Sequence, residues 1–399
     1  MWRGRRESLP PAEPPEVATL CAREFSTHMS GVPSMLAWAP GRINLIGGHT
    51  DYNDGLALPA AINRWISVAM RPRRDGIIRV RSLDFGGELR GDLSGFGEVS
   101  ASWQKFVAGS VAVFGARHPL PSGFDAVFAG DVPHGAGLSS SAALSIAWMS
   151  LLRGWTGAAI DDLTLARYAQ QVEHEYLGVK CGLLDQIGSL MARSGQVMLT
   201  DFQSLEVTPV DVALRDVSWV VLHSGVRREL ASSAYQDRVR ECAEGLAEVK
   251  RMHPGVQTMR EIEPSMLTGD GVTARRLRHV ISENDRVQRA VEAVSMGDPT
   301  TLGEILSEAH RSLRDDYAVS CLQLDLLVTL AEAHPACFGG RMVGGGFGGC
   351  TLNLVHSDQA QDFIQTVLKG YRAQVLEVPR SFTFELVGGA SFSASLPLA

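Results

Sequence analysis

Apolar residues in the first third of the chain come in short stretches rich in β-branched side chains and broken by turn residues, which is the pattern of a sheet. Residues 65–70 and 77–82 are two such strands, and a helical period over 17–29 precedes them. From residue 103 the period changes. A helix to 116 leads to a strand over 124–129, a Gly-rich turn, and an unbroken apolar segment over 142–152 that reads as a buried helix. Helices over 163–179 and 182–192 follow, then a strand pair at 197–201 and 219–222. The stretch 231–332 is helical with a break at Asp298-Pro299, and strands at 340–342, 351–355 and 381–386 close the chain. The whole reads as α+β in two domains, with a boundary near 205–215: an arm and first helix over 1–30, a first domain over 31–210 and a second over 211–399.

Composition narrows the function classes. At 399 residues and 45% hydrophobic the chain has ample material for a buried core. No apolar run reaches the roughly 18 to 20 residues of a bilayer span, and the start Met1-Trp2-Arg3-Gly4-Arg5-Arg6 lacks the apolar segment of a signal peptide, so the expected place is the cytoplasm and no membrane partner is expected. A net charge of -7 without a basic block gives no footprint for nucleic acid. The six cysteines show no C-x-x-C pair and read as incidental thiols.

Four segments carry chemistry. In the stretch 130–142, Gly135 and Gly137 permit close backbone approach, and the helix beginning near Ser139 aims free N–H groups and a positive dipole end at the turn, a place for phosphate. It is neither a Walker loop, since no Gly-Lys-Ser/Thr follows, nor a dinucleotide fingerprint, since Ser140 stands where a third glycine would be. Its three serines are suited to capping the helix and to serving Mg²⁺. The stretch 40–55 crowds Arg42, Asn44, His49 and Asp51 into a Gly-punctuated turn and reads as a hydroxyl-binding surface. Asp185 opens a helix, with Glu173 twelve residues earlier on the preceding one, and the two suggest a base and a metal ligand. Finally, five glycines in 344–349 imply a backbone closely approached by a ligand or another segment.

With these motifs in this order, Pro40-Gly41-Arg42 onward, Gly135 to Ser141 and Gly344 to Gly349, the chain resembles the GHMP-family sugar kinases, most closely their galactokinase subgroup. The resemblance implies a two-domain GHMP fold, a mixed-sheet first domain carrying the phosphate loop and a ferredoxin-like second domain, with the active site in the cleft between them. It implies ATP and Mg²⁺ as cofactors and a small sugar as substrate. The sequence does not decide the oligomeric state, and a monomer is the expectation. Asp185 is then the catalytic carboxylate and Arg42 its electrostatic partner. Ser141 and Glu173 hold Mg²⁺, Gly135, Ala136, Gly137, Leu138, Ser139 and Ser140 wrap the phosphates with Ser141, and Trp103 lies by the adenine. Arg42, Gly48, His49, Asp51, Gly182, Asp185 and Tyr235 contact the sugar. The implied reaction is phosphorylation of D-galactose at its anomeric hydroxyl. One position departs: the subgroup carries glutamate where this chain has Gly48, which keeps open a kinase for another aldose such as L-arabinose. A non-catalytic sugar- and ATP-responsive regulator ranks last, because the serine loop, Glu173, Arg42 and Asp185 are all in place.

Overall fold

The computed structural model describes residues 13–133, 135, 137–226 and 231–394, the side chains of 231–233 excepted. In the first half, helix α1 (Glu16–His28) precedes strands β1 (Met35–Asn44), β2 (Leu56–Ala57), β3 (Pro59–Pro72), β4 (Ile77–Ser82), β5 (Glu88–Asp92) and β6 (Gly95–Phe96). Helix α2 (Ser102–Gly115) and strand β7 (Phe124–Gly130) lead to helices α3 (Ser140–Thr156), α4 (Asp162–Tyr176) and α5 (Leu184–Leu190), then β8 (Gln196–Asp201) and β9 (Glu206–Asp211). The second half holds β10 (Val217–His223), α6 (Ala231–Met252), α7 (Val272–Met296), α8 (Pro299–Asp315) and α9 (Leu322–Glu332). It ends with β11 (Cys337–Val343), β12 (Cys350–His356), α10 (Ala360–Arg372), β13 (Arg380–Phe384), β14 (Leu386–Val387) and β15 (Ser391–Ser393).

The large sheet runs β15-β1-β3-β7-β4-β5-β6, with β14 also on β3. It is mixed, because β4 and β7 are parallel while its other pairings are antiparallel. Helix α3 is the centre of its core. Every residue from Ala142 to Leu152 is buried, which explains an apolar stretch with no polar face, and Gly157 ends the helix in the left-handed conformation. Helix α1 covers the other side of β1, β3 and β7 with Ala18, Cys21 and Phe25. The second sheet, β11-β12-β10-β13, is antiparallel and carries α8, α9 and α10. The break at Asp298-Pro299 is a helix junction: Gly297 caps α7, the Asp298 carboxylate accepts from the Thr300 and Thr301 N–H groups, and Pro299 takes the first turn of α8.

Two expectations need correction. The strands at 197–201 and 219–222 do not pair; β8 lies between β2 and β9 in a small third sheet, and β10 joins β12 and β13. Similar composition could not reveal this, since both are short apolar strands and the pairing is decided by long-range packing. The chain also returns to its start: β15 pairs with β1 and β14 with β3, so the last described strands complete the large sheet rather than the second one. Helix α10, whose apolar side buries Phe363, Val367 and Tyr371, was not foreseen.

Candidate active site

One cavity of about 430 Å³ lies between the halves. Strand β1 supplies its first wall. The β1–β3 register shifts between Pro40 and Arg42, and the Arg42 N–H donates to the Leu138 carbonyl, tying β1 to the serine loop. After β1 the chain turns at Gly47, whose φ of +92° and whose approach to Ala57 Cα, 2.5 Å from any added Cβ, exclude a side chain. The Gly47 and Gly48 N–H groups donate to Glu283 Oε1 of α7 at 3.0 and 2.8 Å. His49 then adopts a left-handed φ of 63°. Its Nδ1 meets the Tyr52 hydroxyl at 2.7 Å, and Tyr52 meets the Tyr317 hydroxyl at 2.8 Å.

The serine loop supplies the second wall. Gly135 and Gly137 take positive φ, and Ser139 sits at the N-cap of α3 with φ 55°. No side chain caps that helix. The expected serine cap is replaced: the Ser139 hydroxyl donates to Asp185 Oδ2, which leaves the N–H groups of the first turn to a ligand. Arg42 grips the same carboxylate at Oδ1 through Nε, at 2.8 Å, and Nη2, while its Nη1 donates to the Gly137 carbonyl at 2.6 Å. Asp185 is thus held from both sides, at the junction of loop and β1, on the first turn of α5.

Around it the electrostatics are those of crowded carboxylates. Burial, and then the Asp185 charge, push Glu173 up to about 7. The same two causes push Asp51 up to about 7. Glu173 accepts from Gln186 Nε2 at 2.9 Å. These carboxylates and the Ser141 hydroxyl suit a hard cation, yet among the described residues no three His, Cys, Asp or Glu groups converge as a metal cage. That is the donor set Mg²⁺ uses when phosphates complete its shell. Two buried polar atoms of residues lining the cavity, Asn44 Oδ1 and His49 Nε2, have no hydrogen-bond partner among the described residues. A ligand hydroxyl would satisfy each.

The structure therefore brings to one cavity Arg42, Gly48, His49, Asp51, Gly135, Gly137, Leu138, Ser139, Ser140, Ser141, Glu173, Gly182, Asp185 and Tyr235. Ala136 lies outside the described residues. Trp103 is set apart from these: it is buried in α2, its ring 5.4 Å from that of Phe128, and does not line the cavity. Sequence reasoning missed Glu283, His279 and Arg341. The signal for the first two was present, since His279, Glu283 and Arg286 recur at helical spacing on the buried side of α7.

The galactose-binding signature of galactokinases matches residues 23–72, the GHMP kinase N-terminal domain 105–193 and the GHMP kinase C-terminal domain 288–373. The galactokinase of Chloroflexus aggregans is 38% identical over 367 residues, 89% of this chain and 92% of that protein. The chain belongs to the galactokinase family. The human galactokinase is 37% identical, with 90% of this chain and 93% of that one covered. Among solved structures, Lactococcus lactis galactokinase complexed with galactose superposes with a TM-score of 0.88 at 30% identity, covering 93% of this chain and 98% of its own. Methanococcus jannaschii mevalonate kinase, at 16% identity and a TM-score of 0.66, shares the fold. As a member of the family the chain is a sugar kinase of the GHMP fold that uses ATP with Mg²⁺. Among the described residues no helix is long and apolar enough to cross a membrane.

Proposed function

We propose that the chain transfers the γ-phosphoryl group of ATP to the anomeric hydroxyl of D-galactose, releasing ADP and galactose 1-phosphate. The observation that carries this is Asp185, fixed by Arg42 and the Ser139 hydroxyl where the phosphate loop meets a hydroxyl-seeking wall. Phosphoryl transfer needs alignment and charge compensation more than covalent help. The N–H groups at the start of α3 would hold the phosphates. As the sugar oxygen bonds to the γ-phosphorus and the bond to the β,γ-bridging oxygen breaks, the hydroxyl proton passes to Asp185 and Arg42 offsets negative charge on the moving group. Ser141 and Glu173 would hold Mg²⁺, which neutralises phosphate charge when bound. Asn44, His49, Asp51 and Tyr235 would orient the sugar hydroxyls.

Dependence on ATP and six free cysteines support a cytoplasmic place, and the chain is proposed to act as a monomer. The test is ADP release from Mg-ATP with D-galactose, the product identified by phosphorus NMR as the 1-phosphate. ADP release no faster than without sugar, or phosphate on another carbon, overturns the reading.

A further inference from the structure

Beneath Gly48, on the wall formed by α7 and β11, the charges do not balance. Arg341 of β11 has a side chain only 1% exposed and lines the cavity. Its Nε donates to the Met342 carbonyl at 3.0 Å and its Nη1 to Glu283 Oε1 at 3.4 Å. Glu283 is already engaged: Oε1 receives the Gly47 and Gly48 N–H groups, and Oε2 receives Arg286 Nε at 2.7 Å. One carboxylate therefore serves two guanidinium groups. The neighbouring histidines, His49 and His279, are held neutral by burial, down to about 3 and about 4, so they do not alter the sum. Arg42 pairs with Asp185, and Asp51, pushed up to about 7 by burial and then the Asp185 charge, is only partly ionised. Among the described residues beneath Gly48, two buried guanidinium groups thus share one buried carboxylate, an arrangement that costs free energy until an anion meets it.

Gly48 is what leaves that charge uncovered. Unlike Gly47 it does not take a positive φ, so the backbone does not demand glycine there. A Cβ built on it would stand 3.3 Å from Arg341 Nη2 and 3.3 Å from Leu313 Cδ2, both ends of side chains that can shift. Among the described residues Nη2 has no hydrogen-bond acceptor. The cavity edge of the guanidinium fork is thus open, and a fork of this kind matches a carboxylate. ATP phosphate is the less fitting occupant, because Arg341 is flanked by Gly48 and Leu313, and the serine loop engages Arg42 instead.

We propose that this site also takes an aldose bearing a carboxylate remote from its reacting hydroxyl, a uronic acid, and phosphorylates it at the anomeric position with Arg341 as the carboxylate's partner. The proposal rests on the sugar-kinase reading of the same cavity. The reaction balances as for the neutral sugar: the anomeric oxygen bonds to the γ-phosphorus, the β,γ-bridging bond breaks to give ADP, the proton goes to Asp185, and the carboxylate is unchanged.

The experiment compares D-galactose, D-galacturonate and the uncharged methyl ester of galacturonate in the ADP-release assay on the full chain. The expected result is galacturonate turnover with kcat/KM within about tenfold of galactose, and an ester about tenfold poorer than the free acid. Gly48→Glu, which places a carboxylate on Arg341, should lower the galacturonate-to-galactose ratio of kcat/KM by at least about tenfold, and Arg341→Gln should do the same. Turnover of galactose alone overturns the proposal and leaves the galactose reading standing. An Arg341→Gln variant that raises KM for ATP with the sugar ratio unchanged makes Arg341 a phosphate group and also overturns it. If neither sugar is turned over, the kinase reading fails, and calorimetry with galacturonate decides the rest: saturable binding lost in Gly48→Glu supports the carboxylate subsite, and no binding overturns it.

Discussion

At the scale of single residues, the decisive feature is how few atoms hold Asp185. Arg42 and Ser139 take its two oxygens from opposite sides, so the carboxylate stays aimed without help from the substrate. Asp185→Asn keeps the shape and loses the proton acceptor. It is expected to lower kcat by about 10³-fold or more while ATP still raises the unfolding midpoint as in the parent chain; kcat within about tenfold of the parent would remove Asp185 from the role. Ser139 shows what residue type alone leaves undecided. A serine before a helix reads as a cap, but here the hydroxyl finds a carboxylate brought in by a helix 46 residues away.

At the scale of elements, α7 matters most. It is an amphipathic helix on which His279, Glu283 and Arg286 replace apolar residues on the buried side, and it carries the turn at Gly47 and Gly48 on Glu283. His279 Nε2–H donates to the Gly48 carbonyl at 2.9 Å, so its Nδ1 accepts from the Ser312 hydroxyl. Because the folded pKa values of His49 and His279 lie near 3 and 4, below the ordinary 6.5, the unfolded chain binds protons first as pH falls. The histidine contribution is then full above about pH 6.5 and declines below it, by on the order of 1 kcal/mol per pH unit for each histidine, while Glu173 and Asp51, pushed up to about 7, take up protons in the folded chain first and act in the opposite sense over the same range. Glu283, held down to about 2, adds its own loss only below about 4.5. Urea unfolding at pH 7 and pH 5 reads the balance, and His279→Asn, which removes one histidine contribution, should shift the stability change from pH 7 to pH 5 toward greater stability at pH 5 by on the order of 1 kcal/mol per pH unit relative to the parent chain. An unchanged slope would mean that His279 is protonated in the folded chain.

At the scale of the whole molecule, the end of the described chain closes the sheet at which it began. The Phe392 ring of β15 fills the space over Gly154 of α3, where a Cβ would collide with it. Phe392→Ala is expected to cost about 2 kcal/mol of unfolding free energy, less than a fully buried ring because Phe392 is partly exposed; no measurable loss would show that β15 is not docked on α3. Most elements and both chemical ends of the site were legible along the chain, because helix and strand periods, the serine loop and the charged turn of residues 40–55 are local patterns. Their spacing also marked Asp185 and Glu173 as a pair. Long-range pairings emerged only on folding: β8 away from β10, β15 on β1, the Ser139 hydroxyl on Asp185, and Arg341 beneath Gly48. Each joins segments distant in the chain through packing and charge, and no periodicity in either partner records which distant residue it will meet.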